Sequence, residues 1–144
     1  MKRNIVVGVV AAVFGLLLIS FFTFLEMRYS ENGSFMRQWA ASGRSNLSFD
    51  DTMKSMGKWI RIHQFVESPL ASVLVGFFVG LLCPKRYWLA LVVGVLPIVA
   101  VDYPSDVFSI LSAITCVFVA WLGAKSAQSL ARHFLPQRQT TITI

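Results

Sequence analysis

Polar and apolar positions are segregated into blocks along this chain rather than interleaved. Four uncharged apolar blocks stand out, at residues 5–25, 69–84, 87–101 and 107–124. A helix that is apolar on every side suits lipid better than the half-wet surface of a soluble domain. At ~1.5 Å rise per residue, the first and last blocks are long enough for a hydrocarbon core of about 30 Å. The two middle blocks are at the short end for crossing. The pattern predicts an all-α integral membrane protein. Its expected parts are four transmembrane helices, one amphipathic helix in an outer loop, and both termini in the cytoplasm.

The block boundaries carry their own signals. Lys2 and Arg3 precede the first block, as in a secretory signal. The apolar stretch is longer than a signal core, however. It runs on into Phe21, Phe22, Thr23, Phe24 and Leu25, where a peptidase needs small residues. The expectation is an uncleaved anchor over residues 1–25. Pro69 fits the first turn of a second helix, and Pro84 fits its end. Lys85 and Arg86, followed by Tyr87 and Trp88, form a tight basic and aromatic hairpin between the second and third spans. Pro97 is expected to kink or shorten the third span. Asp102 to Asp106 reads as an outer turn, with Asp106 capping the fourth helix. Beyond Ala124 a polar extension is expected to about Phe134, before Pro136, within a cytoplasmic tail of residues 125–144.

Only residues 26–68 offer a sizeable extramembrane loop. Turn-like stretches flank a short possible helix at residues 35–39. Ser48 and Asp51 make an N-terminal helix signature. After it, Phe49, Met53, Met56, Ile60 and Phe65 recur near helical spacing with Trp59 beside them, opposite Asp50, Asp51, Lys54, Lys58 and Arg61. This predicts an amphipathic helix over about residues 49–66. It would lie on the outer membrane boundary, pack over the bundle, or dock a partner.

Composition agrees with the blocks. Apolar residues make up 56% of the chain and charged residues 14%, against about 25% charged in an ordinary soluble domain. The net charge of +6 is explained by placement. Lys2, Arg3, Lys85, Arg86, Lys125, Arg132 and Arg138 fall on the inferred inner side; Arg28, Arg37, Arg44, Lys54, Lys58, Arg61 and all seven acids fall on the outer side. By count of Lys and Arg the two sides differ only slightly, but the inner ones sit close to the span ends and most of the outer ones lie far out in one long loop. That placement fits the positive-inside rule without a nucleic-acid partner. Cys83 and Cys116 both lie in apolar blocks and read as packed thiols rather than as a disulfide framework or zinc site.

Candidate chemistry is sparse. Ser72, Gly76 and Gly80 in the second block, and Ser112, Cys116, Ala120 and Ala124 in the fourth, repeat every four residues. Each set makes a smooth helix face for close backbone contact, within one chain or between copies. His63, Glu67, Asp102 and Asp106 are placed to gather at the outer surface, where they read as hydrated loop charges. No ionisable residue falls in the middle of a block, which argues against a proton relay. Ser20, Thr23, Ser72, Ser109, Ser112 and Thr115 are the polar exceptions, able to bond a carbonyl one turn back. Two Asn-x-Ser matches and a β-branched C-terminal tail add little. No cofactor or metal is expected.

The expected function is therefore binding rather than catalysis, in a bacterial cytoplasmic membrane. The partners would be the lipid bilayer and another membrane protein or a second copy of the chain. Such a protein would serve as an accessory subunit or as a protective factor occupying a pore-forming partner. An oligomeric channel or small-solute carrier, and an outer-leaflet lipid enzyme using His63, are the alternatives.

Overall fold

The computed structural model describes residues 2–30, 33–34, 37–38, 41, 48–83, 87–101 and 107–134. All regular structure among them is helical. Helix α1 covers Lys2–Tyr29, α2 covers Phe49–Ile62, α3 covers Ser68–Leu82, α4 covers Trp88–Val101 and α5 covers Val107–Phe134. A single π turn, His63–Glu67, joins α2 to α3. Three stretches are long and apolar enough to cross a membrane: Arg3–Tyr29, Asp50–Leu82 and Val107–His133. Trp88–Ala100 is a shorter apolar helix.

Three expectations change here. Pro69 falls in the first turn of α3, as expected, but no loop separates that helix from the one before it. Ile62, His63, Glu67 and Ser68 all keep right-handed helical dihedrals, so α2, the π turn and α3 form one uninterrupted run. Pro69 explains the widened turn. Its ring collides with the carbonyl four residues back, and it has no N–H to offer. Opening the preceding turn relieves both problems, and Ser68 N–H bonds instead to the His63 carbonyl, five residues back. Helix α2 thus continues the run of α3, and among the described elements it touches only the π turn. Ser48 occupies the N-cap position, but its side chain makes no capping bond. Its carbonyl instead accepts from the Thr52 amide and hydroxyl, each at 3.1 Å. Pro97 does not end its helix, since α4 continues to Val101. The short helix expected at residues 35–39 and the turns at 84–86 and 102–106 fall largely or wholly outside the described residues.

Contacts fix the helix directions. Asn4 meets Cys83, Gly15 meets Val75 and Thr23 meets Glu67, so α1 and α3 are antiparallel. Gly8 lies on Ala90 and Val93, Gly94 on Ala11, and Gly15 on Ile98, so α1 and α4 run parallel. Gly76 lies on Ala120 and Gly80 on Ala124, so α3 and α5 also run parallel. The chain passes up, down, up and down, which leaves the start of α1 and the end of α5 at one end of the bundle. The two parallel pairs dominate the packing, while α4 and α5 meet only sparingly.

The interior is lined by short side chains. Ala11, Ser68, Ala71, Ser72, Cys116, Ala120, Ala124 and Ala127 are fully buried, with Val75, Val79, Leu91 and Ile98 filling the gaps. Val6, Val13, Leu17, Phe21, Val92, Leu96, Ile114 and Phe118 point outward. A soluble bundle would show the opposite preference. In lipid, association depends on close van der Waals packing, which short side chains permit.

Candidate functional site

The π turn is the centre of a buried polar cluster. Widening the helix over His63–Glu67 turns Gln64 and Glu67 inward, and both are buried. His63 Nδ1 lies 2.8 Å from Glu67 Oε2, with the two side chains only 12% and 6% exposed. The same oxygen accepts a 3.1 Å bond from Thr23 Oγ1 of α1. On the other flank, Gln64 Nε2 donates to Ser109 Oγ at 3.0 Å, and Ser112 Oγ donates to the Gln64 carbonyl at 2.6 Å. Trp59 stacks on the His63 ring at 5.9 Å between centroids. The cluster thus ties the π turn to α1 on one side and to α5 on the other.

This corrects the sequence expectation for Glu67. It is not a hydrated loop charge but a buried acceptor shared by a ring nitrogen and a hydroxyl. Asp102 and Asp106, expected beside it, lie outside the described residues. Gln64 was not anticipated at all. Its only sequence signal is its position one turn ahead of Ser68 and two ahead of Ser72, on what becomes the inward face. Ser20 and Thr115 bond the carbonyls four residues back, at Leu16 and Leu111. Thr23 and Ser112 instead reach other helices. Ser72 Oγ is buried with no hydrogen-bond partner among the described residues.

Chemically, the cluster offers a ring nitrogen, a carboxylate and hydroxyls bonded to one another, which together anchor three helices. Among the described residues there is no group of three or more His, Cys, Asp or Glu side chains able to hold a metal ion.

The two stripes of short residues meet each other within the chain. A Cβ added at Gly76 or Gly80 would strike the backbone carbonyl of Ala120 or Ala124, and one at Gly123 would strike that of Val73. Ser72 and Cys116 are buried in the same bundle interior, and Ser112 joins it through the bond to Gln64. This face of α3 is therefore occupied by α5 and is not presented to a second copy.

The residues expected to dock a partner have a different setting. Met53, Met56 and Ile60 of α2 are exposed, as is Phe65 in the π turn, which also meets Phe108 edge-on at 6.5 Å. Trp59 is half-buried through its stack on His63. Phe49 opens the helix. A hollow of about 870 Å³ runs along residues 51–66, with Lys54, Lys58 and Arg61 on its wall.

No protein-family model, curated protein or solved structure matches this chain.

Proposed function

We infer that this is a four-span protein of a bacterial cytoplasmic membrane, with both termini in the cytoplasm, that works by holding another membrane protein rather than by catalysis. Helix α2 is the recognition arm. The supporting observation is its uncovered apolar stripe: Met53, Met56 and Ile60 are all exposed although the helix continues directly from a span. Lys54, Lys58 and Arg61 lie on the same arm. The partner surface that complements it is an extracytoplasmic segment carrying apolar and acidic side chains. An accessory subunit or a protective factor seated on a pore-forming protein would both use such an arm.

The small-residue stripes support this reading by exclusion. They are consumed inside the chain, so they are not available to line a pore between copies. Native mass spectrometry of gently solubilised membranes tests the proposal. A co-purifying membrane protein is expected, and it should be lost in Met56→Asp/Ile60→Asp while the bundle keeps its stability. A chain that always emerges alone would refute it.

One observation favours a second reading, an outer-leaflet lipid enzyme: His63 and Glu67 are in contact, with Thr23 on the same oxygen. Both side chains are nearly closed to solvent, which suits anchoring better than turnover. His63→Ala decides between them, since an unchanged lipid composition ends the enzymatic reading.

A further inference from the structure

The sparse contact between α4 and α5 leaves a purely apolar hollow on the outside of the bundle. It has two adjacent parts, of about 540 and 140 Å³, with Trp88 and Val117 lining both. One end is marked by Trp88 and Trp121, and the other is reached at Val99 on α4 and Ala113 on α5. From Trp88 to Val99 the helix rises about 16 Å, close to half of a hydrocarbon core of about 30 Å. The hollow is therefore one leaflet deep.

Its tryptophan end is also its charged end. Trp88 stacks on Tyr87 at 5.1 Å, and Lys125 Nζ stands over the Tyr87 ring, 5.8 Å from its centroid. Trp121 lies one helical turn before Lys125 on α5. Tryptophan and tyrosine favour the headgroup level, and basic residues there attract anionic lipids. Lys85, Arg86, Arg132 and Arg138 are close to this end in sequence, and no acidic residue occurs after Asp106.

We propose that the α4–α5 groove is a site for one anionic phospholipid, with an acyl chain along Val92, Leu96 and Val117 and the phosphate beside Lys125. A partner helix fits poorly. Helices approach closely in membranes over Gly, Ala and Ser, and of the groove's lining residues only Ala113 is of that kind. Branched and aromatic walls suit a flexible chain. The proposal needs a bilayer but is independent of what the α2 arm holds.

The test is native mass spectrometry of the detergent-purified protein, titrated with phosphatidylglycerol or with phosphatidylcholine of matched chains. One phosphatidylglycerol per chain should be retained in preference. Lys125→Ala should weaken it about fivefold, equivalent to the ~1 kcal/mol per basic residue seen beside anionic leaflets, and leave phosphatidylcholine unchanged. Val117→Trp fills the position shared by both hollows and should remove both lipids. Val9→Trp, on the exposed face of α1, should remove neither. Should Val117→Trp fail to fold, photolabelling of the wild-type protein with a diazirine-bearing phosphatidylglycerol replaces it, and label is expected at Val92, Leu96 and Val117. Equal retention of the two lipids, or label no stronger there than at Val9, overturns the proposal. So does a protein that crosslinks through Leu96→Cys in place of lipid.

Discussion

Thr23 and Glu67 are joined by a 3.1 Å hydrogen bond across 44 residues of sequence, and the same carboxylate oxygen receives His63 from one turn away. The bond fixes the C-terminal part of α1 to the widened turn. Removing the acceptor leaves a buried hydroxyl and ring nitrogen to find new partners, so Glu67→Ala should cost about 2 kcal/mol. Thr23→Val should cost nearer ~0.6 kcal/mol, the usual worth of a polar pair between membrane helices. The double variant should cost less than the two single ones together. Unfolding of the purified protein in mixed micelles, carried through as a double-mutant cycle, measures the difference.

Glycine has opposite meanings at two positions. Gly76 lies against the Ala120 backbone, whereas a Cβ at Gly57 would meet nothing within 4 Å. Gly76→Ala should therefore destabilise the bundle by about 2 kcal/mol, because backbone cannot move aside as a side chain can. Gly57→Ala should stabilise its helix by about 0.5–1 kcal/mol through reduced backbone freedom. The same unfolding assay reads both, and equal effects would mean that α3 and α5 are not in contact at Gly76.

Proline in the interior of a straight helix costs about 3 kcal/mol. The π turn has already relieved most of that at Pro69, so Pro69→Ala should stabilise by no more than about 1 kcal/mol. The new amide can bond to the Phe65 carbonyl. Hydrogen exchange across residues 65–69 should slow accordingly, and a gain near the full proline cost would mean that the turn carries unrelieved strain.

Sidedness can be read with single cysteines in a Cys83→Ala/Cys116→Ala background. Lys58→Cys should react with an impermeant maleimide added to intact cells. Ser126→Cys and Lys85→Cys should react only after permeabilisation. Labelling of Lys58→Cys and Lys85→Cys from the same side would reduce residues 69–101 to a re-entrant dip.

The helical, membrane-type character of the chain was legible because it depends on composition in blocks, as in residues 5–25 and 107–124. The positions of Gly76 and Gly80 were also legible, since four-residue spacing defines a helix face whatever lies opposite. What lies opposite was not. That Gly76 meets Ala120 in the same chain depends on which helices pair, and two parallel pairs could not be told from other arrangements by periodicity. Pro69 does stand in the first turn of its helix, as the sequence implies, but a proline there does not reveal whether a loop or a π turn precedes it. Glu67 depends on that difference, because a loop residue would be wet and a residue in a widened turn is carried inward.

The five-residue turn also sets the angular phase of the arm. In an unbroken α-helix, Ile60 would stand about 80° around the axis from Ser68. The extra residue taken up between them cancels most of that offset and brings Ile60, Met56 and Met53 round to the side of the rod on which Ser68, Ser72 and Val75 meet the other helices. Loss of one residue between positions 63 and 67 should leave this alignment nearly intact but close the widened turn, which returns the Pro69 ring to the carbonyl four residues back. Gain of one should swing the arm's stripe sideways. Length variation in this short interval therefore has two different consequences: shortening keeps the arm's aim at a cost in stability, and lengthening re-aims the arm.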